Sequence, residues 1–169
     1  MIITLIGYMG SGKSLIGKTL ATSLSATFLD LDTLIEQHEK RLIKEIFATK
    51  GEIYFREVER KVLLSTLTRQ ENIILSLGGG TPCFYNNMEE INAKSQSIYL
   101  QTSIKTLAER LAPEKDKRPI IAHLNEEQLQ EFIAKHLFER RPFYEKAQHI
   151  VKTDDKTAEE IVAEIVGKL

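Results

Sequence analysis

Apolar residues gather in five short runs along the chain: Ile2–Ile6, Thr27–Leu31, Asn72–Leu77, Ser97–Leu100 and His149–Val151. Each is too short for a helix and suits a buried strand. Helical spacing fills the intervals. Leu15, Ile16, Leu20 and Leu24 fall on one stripe after the first run, and Ala158, Ile161, Val162, Ile165 and Val166 line a face near the end. Thr157 with Glu160, and Asn125 with Gln128, are spaced as capping boxes and predict helix starts. A long helical insertion runs from Ile35 to Gln70, broken at Gly51. Strands alternating with helices predict an α/β fold with a mostly parallel sheet covered on both faces. One stretch stands apart, APEKDKRPIIAHLN at 112–125, polar and proline-punctuated. It predicts a surface loop of the kind that closes over a ligand.

The first run leads straight into LIGYMGSGKSLIG, which reads Gly7-x-x-x-x-Gly12-Lys13-Ser14. This is the P-loop pattern, in its expected setting of strand, glycine loop and helix. Glycines let successive backbone N–H groups turn inward around a phosphate, at the positive end of the following helix. The lysine carries a point charge to the outer phosphates, and the serine hydroxyl can ligate Mg²⁺. The loop predicts binding of a nucleoside triphosphate.

Composition narrows the class without changing it. A chain of 169 residues, 42% hydrophobic and 28% charged, suits one globular domain. A net charge of −1 gives no case for nucleic acid or an anionic membrane as partner. One cysteine, Cys83, rules out an internal disulfide and reads as a bystander thiol in a reducing compartment. The N-terminus enters a strand directly, with no basic leader and no long apolar run, so the expectation is a cytoplasmic protein. His38, His123, His136 and His149 lack metal-ligand spacing, and His136 reads as solvent-facing.

Other residues offer chemistry. Asp30 and Asp32 lie two apart at the end of the second run, so on an extended strand their carboxylates share a face. At the carboxyl end of a parallel strand they would face the ligand crevice, one ordering Mg²⁺ and the other meeting an acceptor hydroxyl. Capping the helix after them is the competing role. FREVERK, 55–61, reads on its own as a solvated helix face with an i,i+4 pair between Glu57 and Lys61. Gly78, Gly79 and Gly80 follow an apolar strand and let backbone approach a ligand closely. Arg118, Arg140 and Arg141 are cations for a phosphate or a carboxylate, or simply surface residues.

In this order and spacing, GYMGSGKS, DLD, FRxxE (Phe55, Arg56, Glu59), GGG, a lid RP and RRPFY make the chain resemble the shikimate kinases along essentially its whole length. The resemblance implies a three-layer P-loop NTPase of nucleoside-monophosphate-kinase type, a five-stranded parallel sheet in the order 2-3-1-4-5 with a lid. It implies one kinase domain over 1–169, with a shikimate-binding helical insertion at about 33–61 and the lid at about 112–125. The activity implied is transfer of the ATP γ-phosphoryl group to the 3-hydroxyl of shikimate, on the route to chorismate and the aromatic amino acids, by a monomer. Gly10, Ser11, Gly12, Lys13, Ser14 and Leu15 would cradle ATP, with Arg110 against the adenine. Ser14 and Asp30 would hold Mg²⁺, and Asp32 would meet the shikimate hydroxyls as base. Arg56 and Arg140 would grip the carboxylate beside Gly78, Gly79 and Gly80, and Arg118 would close onto the transferring phosphate.

Two other readings share the P-loop. A kinase of another small hydroxy acid, such as gluconate, has no reason to keep Arg56, the three glycines and Arg140 together. A nucleotide-dependent switch would carry DxxG and NKxD, and neither occurs.

Overall fold

In the computed structural model, which describes Met1–Leu169, the five runs form one parallel sheet in the order β2-β3-β1-β4-β5. The strands are β1 (Ile2–Ile6), β2 (Thr27–Asp30), β3 (Ile73–Ser76), β4 (Gln96–Gln101) and β5 (His149–Lys152). Central β1 pairs with β3 from Ile2 opposite Ile73, and with β4 from Ile3 opposite Gln96. Every residue of β1 and β3 is buried, as strands covered on both faces require, while edge strands β2 and β5 expose Thr27 and Lys152.

Alternation along β1 sends its side chains into two cores. Ile3 and Leu5 join the smaller one, shared with α1 (Lys13–Ser23) and α7 (Ala158–Lys168). Ile2 and Ile6 join the larger one on the opposite face. That core takes residues from α2 (Leu31–Glu39), α3 (Ile43–Leu67), α4 (Asn87–Lys94), α5 (Ile104–Leu111) and α6 (Glu126–Tyr144). Both predicted capping boxes form, opening α6 at Asn125 and α7 at Thr157.

Three expectations need correction. Leu15 and Val166 fall off their stripes, at 63% and 40% exposure, because each sits a helical step away from the buried neighbour that defines the face. The insertion is two helices, since Lys40 takes a left-handed φ of 54° and ends α2. Glu45 and Glu36 then cap the start of α3, accepting from the N–H groups of Leu42 and Ile43. The break at Gly51 is real, with φ 84° inside α3. The 112–125 segment is less loose than its composition implies. Its first half is a 3-10 turn, Ala112–Lys117, and Ile121 is fully buried in the larger core. Lys115 Nζ donates to the Leu124 carbonyl at 2.8 Å and closes the segment on itself.

Candidate active site

The carboxyl ends of β1, β2 and β3 converge on a cleft of about 750 Å³. Parallel topology makes this the place where loops of three strands meet, and it is where open α/β sheets take their ligands. From β1 comes the glycine loop. Gly10, Ser11, Gly12, Lys13, Ser14 and Leu15 all line the cleft, and Gly12 immediately precedes α1, so the helix N-terminus points into it. Lys13 Nζ donates to the carbonyls of Gly7 at 2.7 Å and Tyr8 at 3.1 Å. Burial pulls its ammonium down to about 8, against the carboxylates of Asp32 and Asp30, which favour the charged form.

From β2 come the two carboxylates, placed differently from the sequence expectation. The strand ends at Asp30, and Asp32 lies in the first turn of α2. Asp30 Oδ1 accepts from the Thr33 N–H at 3.1 Å, so its carboxylate starts the helix and the backbone leaves the extended form there. Both residues nonetheless line the cleft beside Lys13 and Ser14. Burial low in the cleft pushes the Asp32 carboxyl up to about 6, with Asp30 and Glu59 adding repulsion and Lys13 opposing it.

From β3 comes Gly78-Gly79-Gly80. Gly78 and Gly79 line the cleft, and two arginines lean on the loop at its inner end. A β-carbon at Gly79 would lie 2.8 Å from Arg140 Nη1, and one at Gly80 would lie 2.6 Å from Arg56 Nη2. The glycines are there because guanidinium groups occupy the space a side chain would need. Arg56 lies on α3 and Arg140 on α6, so the loop joins residues 84 positions apart in sequence (140 − 56). Arg110 donates to the Gly10 carbonyl at 3.1 Å, and Arg118 lines the cleft 3.9 Å from the Glu114 carboxylate. Arg141, adjacent to Arg140, turns away and pairs with Glu145 at 2.6 Å.

Some residues of the site were not legible in FREVERK and its neighbours. Glu59 is not on a solvated face: it is 1% exposed, binds Arg56 Nη1 at 2.9 Å and accepts from Thr81 Oγ1 at 2.8 Å. The expected pair between Glu57 and Lys61 does not form, although both residues are exposed, and two solvated side chains gain little by pairing. Phe84 lays its ring 4.0 Å from the Arg56 guanidinium. Tyr144, buried on α6, donates to the Gly79 carbonyl at 2.6 Å. Its spacing from Arg140, one helical turn, is the signal that carries it in RRPFY. His136 is half-buried rather than solvent-facing, hydrogen-bonded to Tyr8 Oη at 3.0 Å.

The family model described as shikimate kinase matches residues 9–169. The chain belongs to the shikimate kinase family. A shikimate kinase of Flavobacterium johnsoniae is 48% identical over 168 residues, covering 99% of this chain and 98% of that one. Among solved structures, shikimate kinase from Bacteroides thetaiotaomicron matches with a TM-score of 0.92 at 37% identity, covering 100% of this chain and 99% of that one. Shikimate kinase from Acinetobacter baumannii, solved in complex with shikimate, matches with a TM-score of 0.86 at 32% identity over 99% of this chain and 91% of that one. As a shikimate kinase family member, the chain carries the three-layer P-loop architecture and sheet order the sequence implied.

Proposed function

We infer that this protein transfers the γ-phosphoryl group of ATP to the 3-hydroxyl of shikimate, giving shikimate 3-phosphate and ADP. The observation that carries the reading is a juxtaposition in one cleft. The phosphate loop with Lys13, the Asp32 carboxylate and the Gly78–Gly79 backbone line it together, and the Arg140 and Arg56 guanidinium groups pack against the same glycine loop. A cradle for a triphosphate therefore adjoins a pair of cations suited to an acceptor carboxylate.

Phosphoryl transfer needs positioning and charge neutralisation rather than covalent work by the protein. In our reading the glycine-loop amides and Lys13 bind the β- and γ-phosphates, with Leu15 at the rim and Arg110 against the adenine. Arg56 and Arg140 take the shikimate carboxylate, whose planar shape matches a guanidinium fork. Asp32 orients the 3-hydroxyl and receives its proton as the oxygen bonds to the γ-phosphorus and the bond to the β-phosphate oxygen breaks. Its raised pKa suits that role, since a carboxyl near 6 is a better base than an ordinary one. Arg118 neutralises the transferring phosphoryl group as the 112–125 segment closes. Because Ile121 is anchored in the core, closure is a movement of the Arg118 side of the segment rather than of the whole.

The donor set fits Mg²⁺. Ser14 and the Asp30 carboxylate are hard oxygen donors lining the cleft, and a divalent cation held by them would relieve the repulsion between Asp30 and Asp32. Ser14 would bind the ion directly and Asp30 through water. An ion held by these residues would supply screening of the charge on the β- and γ-phosphates. We read the protein as a cytoplasmic monomer: the proposed reaction needs no residue from a second subunit, and a single cysteine calls for no oxidising compartment. The test is twofold. Shikimate alone should raise the melting temperature, as linkage requires of a ligand that binds the folded state. ADP release should depend on shikimate and not on gluconate. Release that is equal with both acceptors refutes the assignment.

A further inference from the structure

Arg140 has a support that neither the phosphate loop nor the glycine loop explains. Tyr8 is the second residue of the glycine loop, yet its side chain is 1% exposed and points across the molecule to α6. Its hydroxyl has one partner, His136 Nδ1, at 3.0 Å. The two rings meet edge to face, 5.4 Å apart at 90°, and Phe132 closes the other side of the imidazole at 5.2 Å. Arg140 follows His136 by one helical turn, and its guanidinium lies 5.8 Å from the centre of the Tyr8 ring, on the side that faces Gly79. Tyr8 also offers its backbone carbonyl to Lys13 Nζ. A single residue therefore touches both the nucleotide lysine and the acceptor arginine.

We propose that Tyr8 and His136 are a positioning pair for Arg140, fixing the ring on which the guanidinium rests so that it meets the acceptor carboxylate. The chemistry gives the bond a direction. Burial pushes the Tyr8 phenol up to about 12, so it stays protonated and donates. Burial, with Arg140 nearby and Glu139 opposing, lowers the His136 imidazole, so its neutral Nδ1 accepts. Without that bond the ring loses the one polar contact that ties it to α6, and the aromatic surface beside Arg140 is less firmly placed, while the phosphate loop, held by backbone contacts, stays in place.

The pair rests on the carboxylate role given to Arg140 above, and the test separates the two. Shikimate and ATP kinetics are measured for Tyr8→Phe, His136→Phe, the double variant, His136→Asn and Arg140→Lys. Tyr8→Phe and His136→Phe should each raise KM for shikimate about three- to tenfold, the size of one buried hydrogen bond, with kcat and KM for ATP unchanged. The double variant should be no worse than the poorer single one, because one bond is removed in all three. His136→Asn keeps an acceptor near the Nδ1 position and should restore KM towards the parental value. It also keeps the proposal testable if the phenylalanine variants fold poorly. Parental shikimate kinetics in both single variants, multiplied effects in the double variant, a rise in KM for ATP to match, or no rescue by asparagine each overturn the pair. If Arg140→Lys is impaired while the pair variants are parental, the pair alone is wrong. If Arg140→Lys is itself parental, the carboxylate role falls and the pair falls with it.

Discussion

Gly80→Ala is the most incisive small perturbation of this site. Gly80 has φ −88° and ψ −17°, which alanine adopts without strain, so the backbone has no reason to move. The three atoms nearest the added methyl all belong to Arg56, at 2.6 Å for Nη2, 2.8 Å for Nη1 and 3.0 Å for Cζ. Ordinary contact between such atoms is about 3.5 Å, so the guanidinium must retreat by about 1 Å. It has little room to do so. Glu59 holds Nη1 at 2.9 Å on one side, and the Phe84 ring lies 4.0 Å away on another. Arg56 must give up good geometry either with Glu59 or with the acceptor carboxylate. A charged hydrogen bond is worth about 1.5–3 kcal/mol, which corresponds to a loss of about 10- to 150-fold in kcat/KM for shikimate. Coupled ADP release with shikimate varied at saturating ATP, and then the reverse, reads this directly. KM for ATP should not move. Parental kcat/KM for shikimate, or an equal loss for ATP, would refute the claim that Arg56 binds the acceptor from this position.

Arg56→Lys and Arg140→Lys keep the charge but lose the planar fork, so kcat/KM for shikimate should fall about ten- to a thousand-fold in the same assay with ATP affinity unchanged. Arg118→Ala should lower kcat by about 10²–10³ with little change in shikimate affinity, since in the proposed reaction its contact forms in the transition state; isothermal titration and steady-state rates separate the two. Glu59→Ala leaves the largely buried Arg56 guanidinium with only a 3.7 Å contact to exposed Glu52 and should cost about 1.5–3 kcal/mol of stability in urea unfolding. For Asp32 the sign follows from its raised carboxyl, about 6 against 3.8: the folded state binds this proton more tightly, so the ionised group costs stability above pH 6 and the cost fades as pH falls towards 4. Asp32→Asn should abolish turnover yet melt higher than the parent at neutral pH, by about 1 kcal/mol after allowing for water in the open cleft, with the two melting curves converging below about pH 4.

The strands and the phosphate loop were legible because both are local. A buried parallel strand is a short apolar run, and a glycine loop before a helix is a fixed spacing, so the five strands and the Lys13 cleft follow from neighbours in sequence. Asp30 and Asp32 were found as a pair but for a partly wrong reason, because the aspartate that ends β2 also caps α2 and puts Asp32 on a helix. Glu59 was visible as the last residue of FRxxE, but its burial was hidden by its surroundings. Charged neighbours on both sides make FREVERK look solvated, and only the packing of α3 against the Thr81 turn buries one carboxylate among them. Ile121 was missed for the same reason in reverse, an apolar residue in a polar stretch whose burial depends on tertiary contact. The Tyr8–His136 bond spans 128 residues, and no spacing rule announces it.

Phosphorus-31 NMR of the reaction products tests the central claim most directly. Protein incubated with ATP, Mg²⁺ and shikimate should yield one phosphomonoester on the shikimate 3-oxygen for each ADP formed, and gluconate in place of shikimate should yield none. ADP accumulating without that ester, or gluconate phosphorylated with a comparable kcat/KM, would contradict it.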